Sequence, residues 1–289
     1  MMHRGMSSQR ARRVPWVLGV CVRGCVLGGL AGGLTGVLGG CASNPLNMRP
    51  GATSVFDAVR APTPSEAVDM ALDPYDPDRR YKGVLLLSKE RFAAEDIYLN
   101  LFAERATDED PGVRAAAIRA LGLHGRQEHV PLIVKGVADA DPSVRQEAAR
   151  ALQRIHDPVA VDALLVAMDR AKEPESFVRV EAARAIGQYA EPRVVEALIA
   201  SLADDSLAVN AATLFSLRTL TGQDFHYDRA AWQVWYRGTS DYFAARSAYL
   251  YPGFQRGRKW YEYLPFVPSP PNEPKGLPVG MSPDMTASN

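Results

Sequence analysis

Asp110-Pro-Gly-Val-Arg114 and Asp141-Pro-Ser-Val-Arg145 are two copies of one pentapeptide, and their recurrence is the strongest indication of the fold. Weaker copies lie at residues 76–80, 176–179 and 207–210. The final residues of the five segments stand at positions 80, 114, 145, 179 and 210, so the spacings are 34, 31, 34 and 31 residues. A period of this length is typical of solenoid proteins, in which each repeat is one supersecondary unit stacked on the next.

The segments that end at residues 114, 145 and 179 are each followed by two stretches with helical periodicity. The first stretch is rich in alanine and occupies residues 115–122, 146–153 and 180–187; the second, after a short polar turn, occupies residues 130–137, 161–168 and 195–202. Apolar residues recur there three and four positions apart, which predicts amphipathic helices. Asp110 and Asp141 are typical N-cap residues, and the prolines after them suit a first helical turn. The sequence therefore predicts an all-α fold, an α-solenoid of about five helix pairs over residues 76–222.

This pattern resembles the HEAT-repeat family, in particular its bilin-lyase-like subtype, whose repeats carry Asp-Pro-x-Val-Arg before an alanine-rich first helix. The resemblance covers residues 76 to about 220. The stretch at residues 220–228 is similar to the junction that follows such arrays in envelope lipoproteins of planctomycete-type bacteria. The resemblance implies the fold and leaves the task open, because one fold serves many functions.

Two sets of arginines recur in register with the repeats. The arginines that end the repeated segments are expected to pair with aspartates of adjacent repeats and so to form a structural ladder: Arg80, Arg114, Arg145 and Arg179. A second set lies five residues further on, at Arg119, Arg150 and Arg184. For this set the alternatives are a solvated polar face and a basic ridge that binds an acidic partner.

Residues 1–41 have the features of a bacterial lipoprotein signal peptide. Arginines at positions 10, 12 and 13 precede an apolar, glycine-rich stretch that ends Val37-Leu38-Gly39-Gly40-Cys41, which is similar to a lipobox. That resemblance implies lipidation at Cys41, with an uncleaved anchor helix or a plain secretory signal as alternatives. The expected location is the cell envelope, lipid-anchored and facing the periplasm, with the outer membrane favoured because Ala42 rather than Asp follows the cysteine. Residues 42–75 are expected to be a tether with one short helix, N-capped by Ser65.

The charge and the cysteines exclude several function classes. Five of the 33 basic residues and none of the 33 acidic residues lie in residues 1–41, so the remainder has 28 basic against 33 acidic residues, a net charge of about −5. A net negative protein argues against nucleic acid as the partner and against anionic lipid headgroups. All three cysteines lie at or before Cys41, so no disulfide-linked partner and no thiol chemistry is expected in the mature chain.

The region after the repeats is rich in aromatic residues. Residues 225–266 contain 14 of the 24 aromatic residues, interleaved with arginines. Residues 223–267 are expected to form a capping helix and a strap, with Trp232 and Trp235 buried in the helix. The alternatives for this segment are a seal over the last repeat and a surface for sugar chains or a partner protein. The candidate aromatic surface consists of Tyr249, Tyr251, Trp260 and Tyr261. Residues 268–289 are rich in proline, serine and glycine and are predicted to be disordered.

Catalytic motifs are missing from the sequence. The resemblance to bilin lyases and deoxyhypusine hydroxylase raises the question of an enzyme, but there is no His-Glu dipeptide of the kind that holds iron in the hydroxylase. His124 and His156 lie at equivalent turns without a neighbouring motif. The sequence therefore predicts no enzyme, no cofactor and no metal, and favours an envelope scaffold that binds another protein. The alternatives are an enzyme or accessory factor of the bilin-lyase or hydroxylase type, and a binder of cell-wall polysaccharide.

Overall fold

The computed structural model describes residues 62–264, 270 and 272–281, all within one compact unit, Ala61–Asn289. These residues contain eleven α-helices and no β-strand. The helices are α1 (Pro64–Ala71), α2 (Pro77–Leu87), α3 (Asp96–Arg105), α4 (Pro111–His124), α5 (Val130–Val137), α6 (Pro142–Ala151), α7 (Val161–Met168), α8 (Ser176–Ile186), α9 (Pro192–Ser201), α10 (Leu207–Thr221) and α11 (Arg229–Gly238). Short 3₁₀-helices occupy Gln127–His129, Pro158–Ala160 and Trp260–Tyr263.

The helices form two layers. The first helices of the repeats, α2, α4, α6, α8 and α10, pack side by side in chain order, and α3, α5, α7 and α9 form the second layer behind them. Helix α11 continues the second layer beside α9. The prediction of an all-α solenoid with an aromatic-rich C-terminal region is confirmed.

The repeated pentapeptides begin the first helices. The Asp110 carboxylate accepts from the Val113 N–H at 3.0 Å, and the Asp141 carboxylate accepts from the Ser143 N–H at 2.8 Å. Each cap satisfies backbone donors that have no partner inside the helix, and proline occupies the first helical turn where its missing N–H costs nothing. At the other end of the array, Gly222 ends α10 with φ of 66°, a left-handed conformation that favours glycine.

Small side chains allow the first helices to approach closely. A Cβ atom at Gly122 would lie 2.7 Å from the Cβ of Ala151 on the next first helix, and one at Gly187 would lie 2.5 Å from the Ser216 hydroxyl. These contacts are too short for a residue larger than glycine at either position, so the close stacking of the first helices depends on glycine there.

Both ends of the stack are closed. Helix α1 packs its buried Ala67 and Ala71 against α2. Its N-cap is Thr63, which forms a capping box with Glu66, so the prediction of Ser65 as the N-cap is wrong. Residues 64–71 are therefore part of the folded array and not of a tether.

Trp232 closes the other end of the stack. It is fully buried on α11, its indole N–H donates to the His226 carbonyl at 2.9 Å, and its ring meets Phe225 edge-on at 5.0 Å. Trp235 is only half-buried.

The tail is ordered where the structure describes it, which corrects the prediction of disorder over residues 268–289. Residues 272–281 return along the array, with antiparallel bridges at Tyr251–Gly276 and Phe254–Glu273. Val279 lies beside Ile155, where its N–H donates to the Arg154 carbonyl at 2.7 Å. The polar, proline-rich composition was misleading because this segment obtains its hydrogen bonds from the turn after α6 and from the strap.

The predicted signal peptide, Cys41 and the part of the tether before residue 62 lie outside the described residues. Of the helices that the structure describes, none is long and apolar enough to cross a membrane.

Candidate functional site

The first arginine set connects neighbouring repeats. Each guanidinium makes two hydrogen bonds to a carboxylate that lies two residues before the N-cap position of the next first helix. The pairs are Arg80–Asp108, Arg114–Asp139, Arg145–Glu173 and Arg179–Asp204, with distances of 2.7–3.0 Å. Three of these four acids are aspartates, the residue type expected from the sequence. The acid paired with Arg145 is a glutamate, Glu173.

The same arginines also donate hydrogen bonds to backbone carbonyls just before the helix on which they lie. The remaining Arg145 nitrogen donates to the carbonyls of Asp139 and Ala140, both at 3.0 Å, and Arg114 and Arg179 make the corresponding contacts. The hydrogen bonds that Arg145 donates to the Glu173 carboxylate raise the pKa of Arg145. Burial raises the pKa of Asp139, but hydrogen bonds from Arg114 and from the Asp141 N–H outweigh burial and hold it below its usual range. These contacts use all of the polar groups of the ladder for structure, which leaves none for a ligand.

The second set lines a cleft instead of forming an unpaired ridge. Arg119 donates to Glu273 at 2.9 Å, Arg150 to Glu147 and Glu181 at 3.0 and 3.1 Å, and Arg184 lies 3.7 Å from Glu181. Acids from the first helices and from the tail reach these arginines, and binding of an acidic partner at this set stays a prediction. Together with Arg154 the three arginines surround a cavity of about 370 Å³, which we call the arginine cleft.

The C-terminal segment forms the other wall of the arginine cleft. Residues 251–254 face the arginines, and the Arg154 guanidinium lies 4.7 Å from the centre of the Tyr251 ring. The Glu273 carboxylate bridges Arg119 and Arg154. Arg154, Glu181 and Glu273 were not predicted as site residues from the sequence. Arg154 follows Arg150 by four residues, a helical spacing that indicates the same face, but Glu273 lies in a segment without periodicity and carries no sequence signal.

The cleft has a small excess of positive charge. Four arginines and two carboxylates, those of Glu181 and Glu273, line it, and Glu147, which lines a smaller neighbouring cavity, pairs with Arg150. Burial raises the pKa of Glu147, and one of its carboxylate oxygens is buried without a hydrogen-bond partner. The excess positive charge, with Arg119 and Arg184 still partly exposed, suits a ligand that brings a further carboxylate.

The four residues of the candidate aromatic surface do not form one surface. Tyr249 is buried, and burial raises its pKa; its hydroxyl has no partner. It is covered because the strap lies across α10, where the Ser247 N–H donates to the Thr219 carbonyl at 2.9 Å. Tyr251 is half-buried in the wall of the arginine cleft, so only Trp260 and Tyr261 are exposed neighbours, with ring centres 5.9 Å apart.

The histidines at equivalent turns are engaged in packing. His124 lies 2.7 Å from the Ser88 carbonyl oxygen, and His156 stacks on Tyr189 and bonds to Gln188. Burial lowers the pKa of His156. Throughout the described part of the chain, no group of three or more histidine, cysteine, aspartate and glutamate side chains is placed to hold a metal ion.

Family comparison identifies the repeats. Residues 99–175 match the family described as HEAT repeats, and residues 178–204 match the family described as PBS lyase HEAT-like repeat. The array is therefore made of HEAT repeats, including one of the bilin-lyase-like type, and this prediction is confirmed. The lipoprotein signal and the planctomycete-type junction stay predictions.

Several solved structures are similar to the chain. They include YibA of E. coli (23% identity, TM-score 0.46, 54% of this chain and 59% of that chain) and the CpcE–CpcF complex of phycocyanin lyase from Nostoc sp. (23%, 0.38, 59% and 80%). An engineered protein is similar at 20% identity with a TM-score of 0.47, covering 63% and 93%. No curated protein sequence matches the chain.

Proposed function

We propose that this HEAT-repeat chain is a non-catalytic, lipid-anchored scaffold of the cell envelope that binds an acidic segment of another envelope protein in the arginine cleft. The observation that carries the proposal is the division of the arginines. The ladder arginines are used in contacts between repeats, whereas Arg119, Arg150 and Arg184 repeat with the same period and face an open cavity.

The chemistry of the cleft supports an acidic ligand. A carboxylate of the chain itself, that of Glu273, already lies between Arg119 and Arg154. Arg119 and Arg184 keep more than a third of their side-chain surface exposed, so further carboxylates have access to them. Arginine is well suited to this task because its planar donors match a carboxylate with two hydrogen bonds.

The binding proposal is tested by site-specific photocrosslinking in cells. A photoreactive phenylalanine analogue replaces Phe254 at the mouth of the cleft, and a control carries it at Tyr227, since the two side chains have similar exposure, 55% and 57%. We expect an adduct with one envelope protein from position 254 only, crosslinked at an acidic segment.

The double variant Arg119→Gln with Arg184→Gln should abolish that adduct. Glu273 keeps Arg154 and Glu181 keeps Arg150 in this variant, so the fold is preserved. An adduct that persists in the double variant, with unchanged melting temperature, would show that the arginines do not bind the partner.

The anchor is proposed at Cys41, with the protein facing the periplasm and the outer membrane favoured. Two or more acyl chains give stable attachment where a single chain gives only marginal binding. The Cys41→Ser variant should lose incorporation of an alkyne-labelled fatty acid and appear in the soluble fraction. Attachment that is unchanged in Cys41→Ser would refute the anchor and leave the binding proposal standing.

A bilin-lyase-like factor is the second candidate, favoured by the match of residues 178–204 to the PBS lyase HEAT-like repeat. Titration of the purified protein with an open-chain tetrapyrrole separates the two candidates. We expect no change in the visible absorption of the pigment. A saturable change at a one-to-one ratio would favour the lyase-like function.

A further inference from the structure

Residues 256–264, which we call the tryptophan loop, turn their only acidic side chain inward. The Glu262 carboxylate accepts from Arg256 at 2.9 Å and from the Lys259 N–H at 2.7 Å, and Glu262 is buried. The hydrogen bonds from Arg256 lower the pKa of Glu262 to about 2. The one negative charge of the loop is therefore neutralised within the loop.

The outward side of the loop carries aromatic and basic side chains. Trp260 and Tyr263 expose 81% and 69% of their surface, and Leu264 is exposed beside them. Arg258 and Lys259 are exposed as well, and no ion pair joins either of them to an acid among the described residues. The loop thus presents two uncompensated positive charges next to a large apolar area, although the chain after Cys41 has a net negative charge.

The geometry of the rings distinguishes between possible partners. Arg258 lies over the face of the Tyr263 ring at 5.8 Å, and Lys259 lies over the face of Tyr261 at 5.9 Å. The rings of Trp260 and Tyr261 are nearly perpendicular, at 83°. Sugar binding by stacking uses an open aromatic face, and here a cation covers one face of each of the two tyrosines. Tryptophan and tyrosine beside lysine and arginine are instead typical of side chains that lie at the membrane–water interface.

The loop is also held in place before any partner arrives. The Arg256 N–H donates to the Asn272 side chain at 3.1 Å, next to the Phe254–Glu273 bridge that joins residues 251–254 to residues 273–276, two segments that we together call the C-terminal arm. Because the loop is already folded, binding costs little conformational entropy.

We propose that the tryptophan loop docks on the surface of an anionic phospholipid bilayer, with Trp260 and Tyr263 at the level of the headgroups and Arg258 and Lys259 against lipid phosphates. This second membrane contact is independent of acylation at Cys41 and of the arginine cleft. It would hold the C-terminal arm at the bilayer.

Vesicle sedimentation tests the proposal with residues 42–289, which retain the whole compact unit and lack the signal segment and Cys41. The protein should bind vesicles of phosphatidylcholine mixed with phosphatidylglycerol, and bind pure phosphatidylcholine vesicles much more weakly. Arg258→Gln with Lys259→Gln should weaken binding about thirtyfold, from roughly 1 kcal/mol for each basic residue near an anionic surface. Trp260→Ala should weaken binding about tenfold, while Tyr75→Ala, at an exposed tyrosine elsewhere, should have no effect.

Two further measurements complete the test. The difference in fluorescence between the wild type and Trp260→Phe reports Trp260 alone, and its emission should shift to the blue on anionic vesicles. Raised salt should release the wild type without unfolding it, because the contact is electrostatic. Absence of binding, equal binding by the charge variant, or sedimentation with purified cell-wall polysaccharide instead of vesicles would each overturn the proposal.

Discussion

Replacement of Arg145 by alanine should destabilise the array more than any exposed arginine substitution. The Arg145 side chain joins two repeats through Glu173, at 2.7 and 2.9 Å, and holds the carbonyls of Asp139 and Ala140 at 3.0 Å. Both partners of the ion pair are largely buried. The truncation therefore removes four hydrogen bonds and leaves the buried Glu173 carboxylate with the hydrogen bond from the Glu175 N–H.

The expected loss of unfolding free energy is about 3 kcal/mol. A hydrogen bond to a charged group contributes roughly 1.5–3 kcal/mol, and removing one partner of a buried pair typically costs about 3–5 kcal/mol because the other charge stays buried. Water that enters the truncated site will hydrate Glu173 in part, which places the estimate at the lower end of that range.

Arg193 provides the matched control. It also pairs with an acid 31 residues away in a neighbouring repeat, Asp162, but both side chains are exposed to solvent. Exposed pairs contribute roughly 0.2–1 kcal/mol, so Arg193→Ala should cost about 0.5 kcal/mol. Urea unfolding followed by circular dichroism measures both variants. Equal losses, or a larger loss for Arg193→Ala, would refute the view that burial makes the ladder stabilising.

Three further predictions concern burial and charge. Trp232→Ala should cost about 3–5 kcal/mol in urea unfolding, because it empties a fully buried site, whereas the exposed Trp260→Ala should cost less than about 0.5 kcal/mol. Tyr249→Phe should leave the melting temperature unchanged or raise it, because the buried hydroxyl has no partner; a clear decrease would reveal a hidden hydrogen bond. Stability should fall as the pH drops below about 4, because Asp139 has a lowered pKa in the folded state and the unfolded chain takes up protons first; Asp139→Asn should reduce this pH dependence.

The repeat period made the fold predictable from sequence. Helix starts at Asp110 and Asp141 follow from local capping chemistry, and the alanine-rich first helices follow from periodicity. The ends of the array were harder to predict from the sequence. Thr63 and Ser65 both have the residue type of an N-cap, and only the contact with Glu66 distinguishes them.

The arginine cleft was predictable only in part. Arg119, Arg150 and Arg184 could be found because they recur with the repeat, but their acid partners could not. Glu273 reaches Arg119 across 154 residues through a segment without helical or strand periodicity. Composition predicts disorder for such a segment. Composition contains no information on backbone hydrogen bonds that the segment forms with residues far away in the sequence.

The five-residue offset between the two arginine sets explains how one helix serves two purposes. Five residues of α-helix turn the side chain by about 140°, so the second arginine points away from the partner of the first. The same offset gives Leu85 in the first repeat and Phe215 in the last, so the cationic positions are confined to the three central repeats. The C-terminal arm crosses the array there, with Tyr251 and Glu273 against the arginines. Because the ladder and the cleft use different positions of each helix, a substitution at the second position changes the charge of the cleft and leaves the ladder pairs between repeats in place.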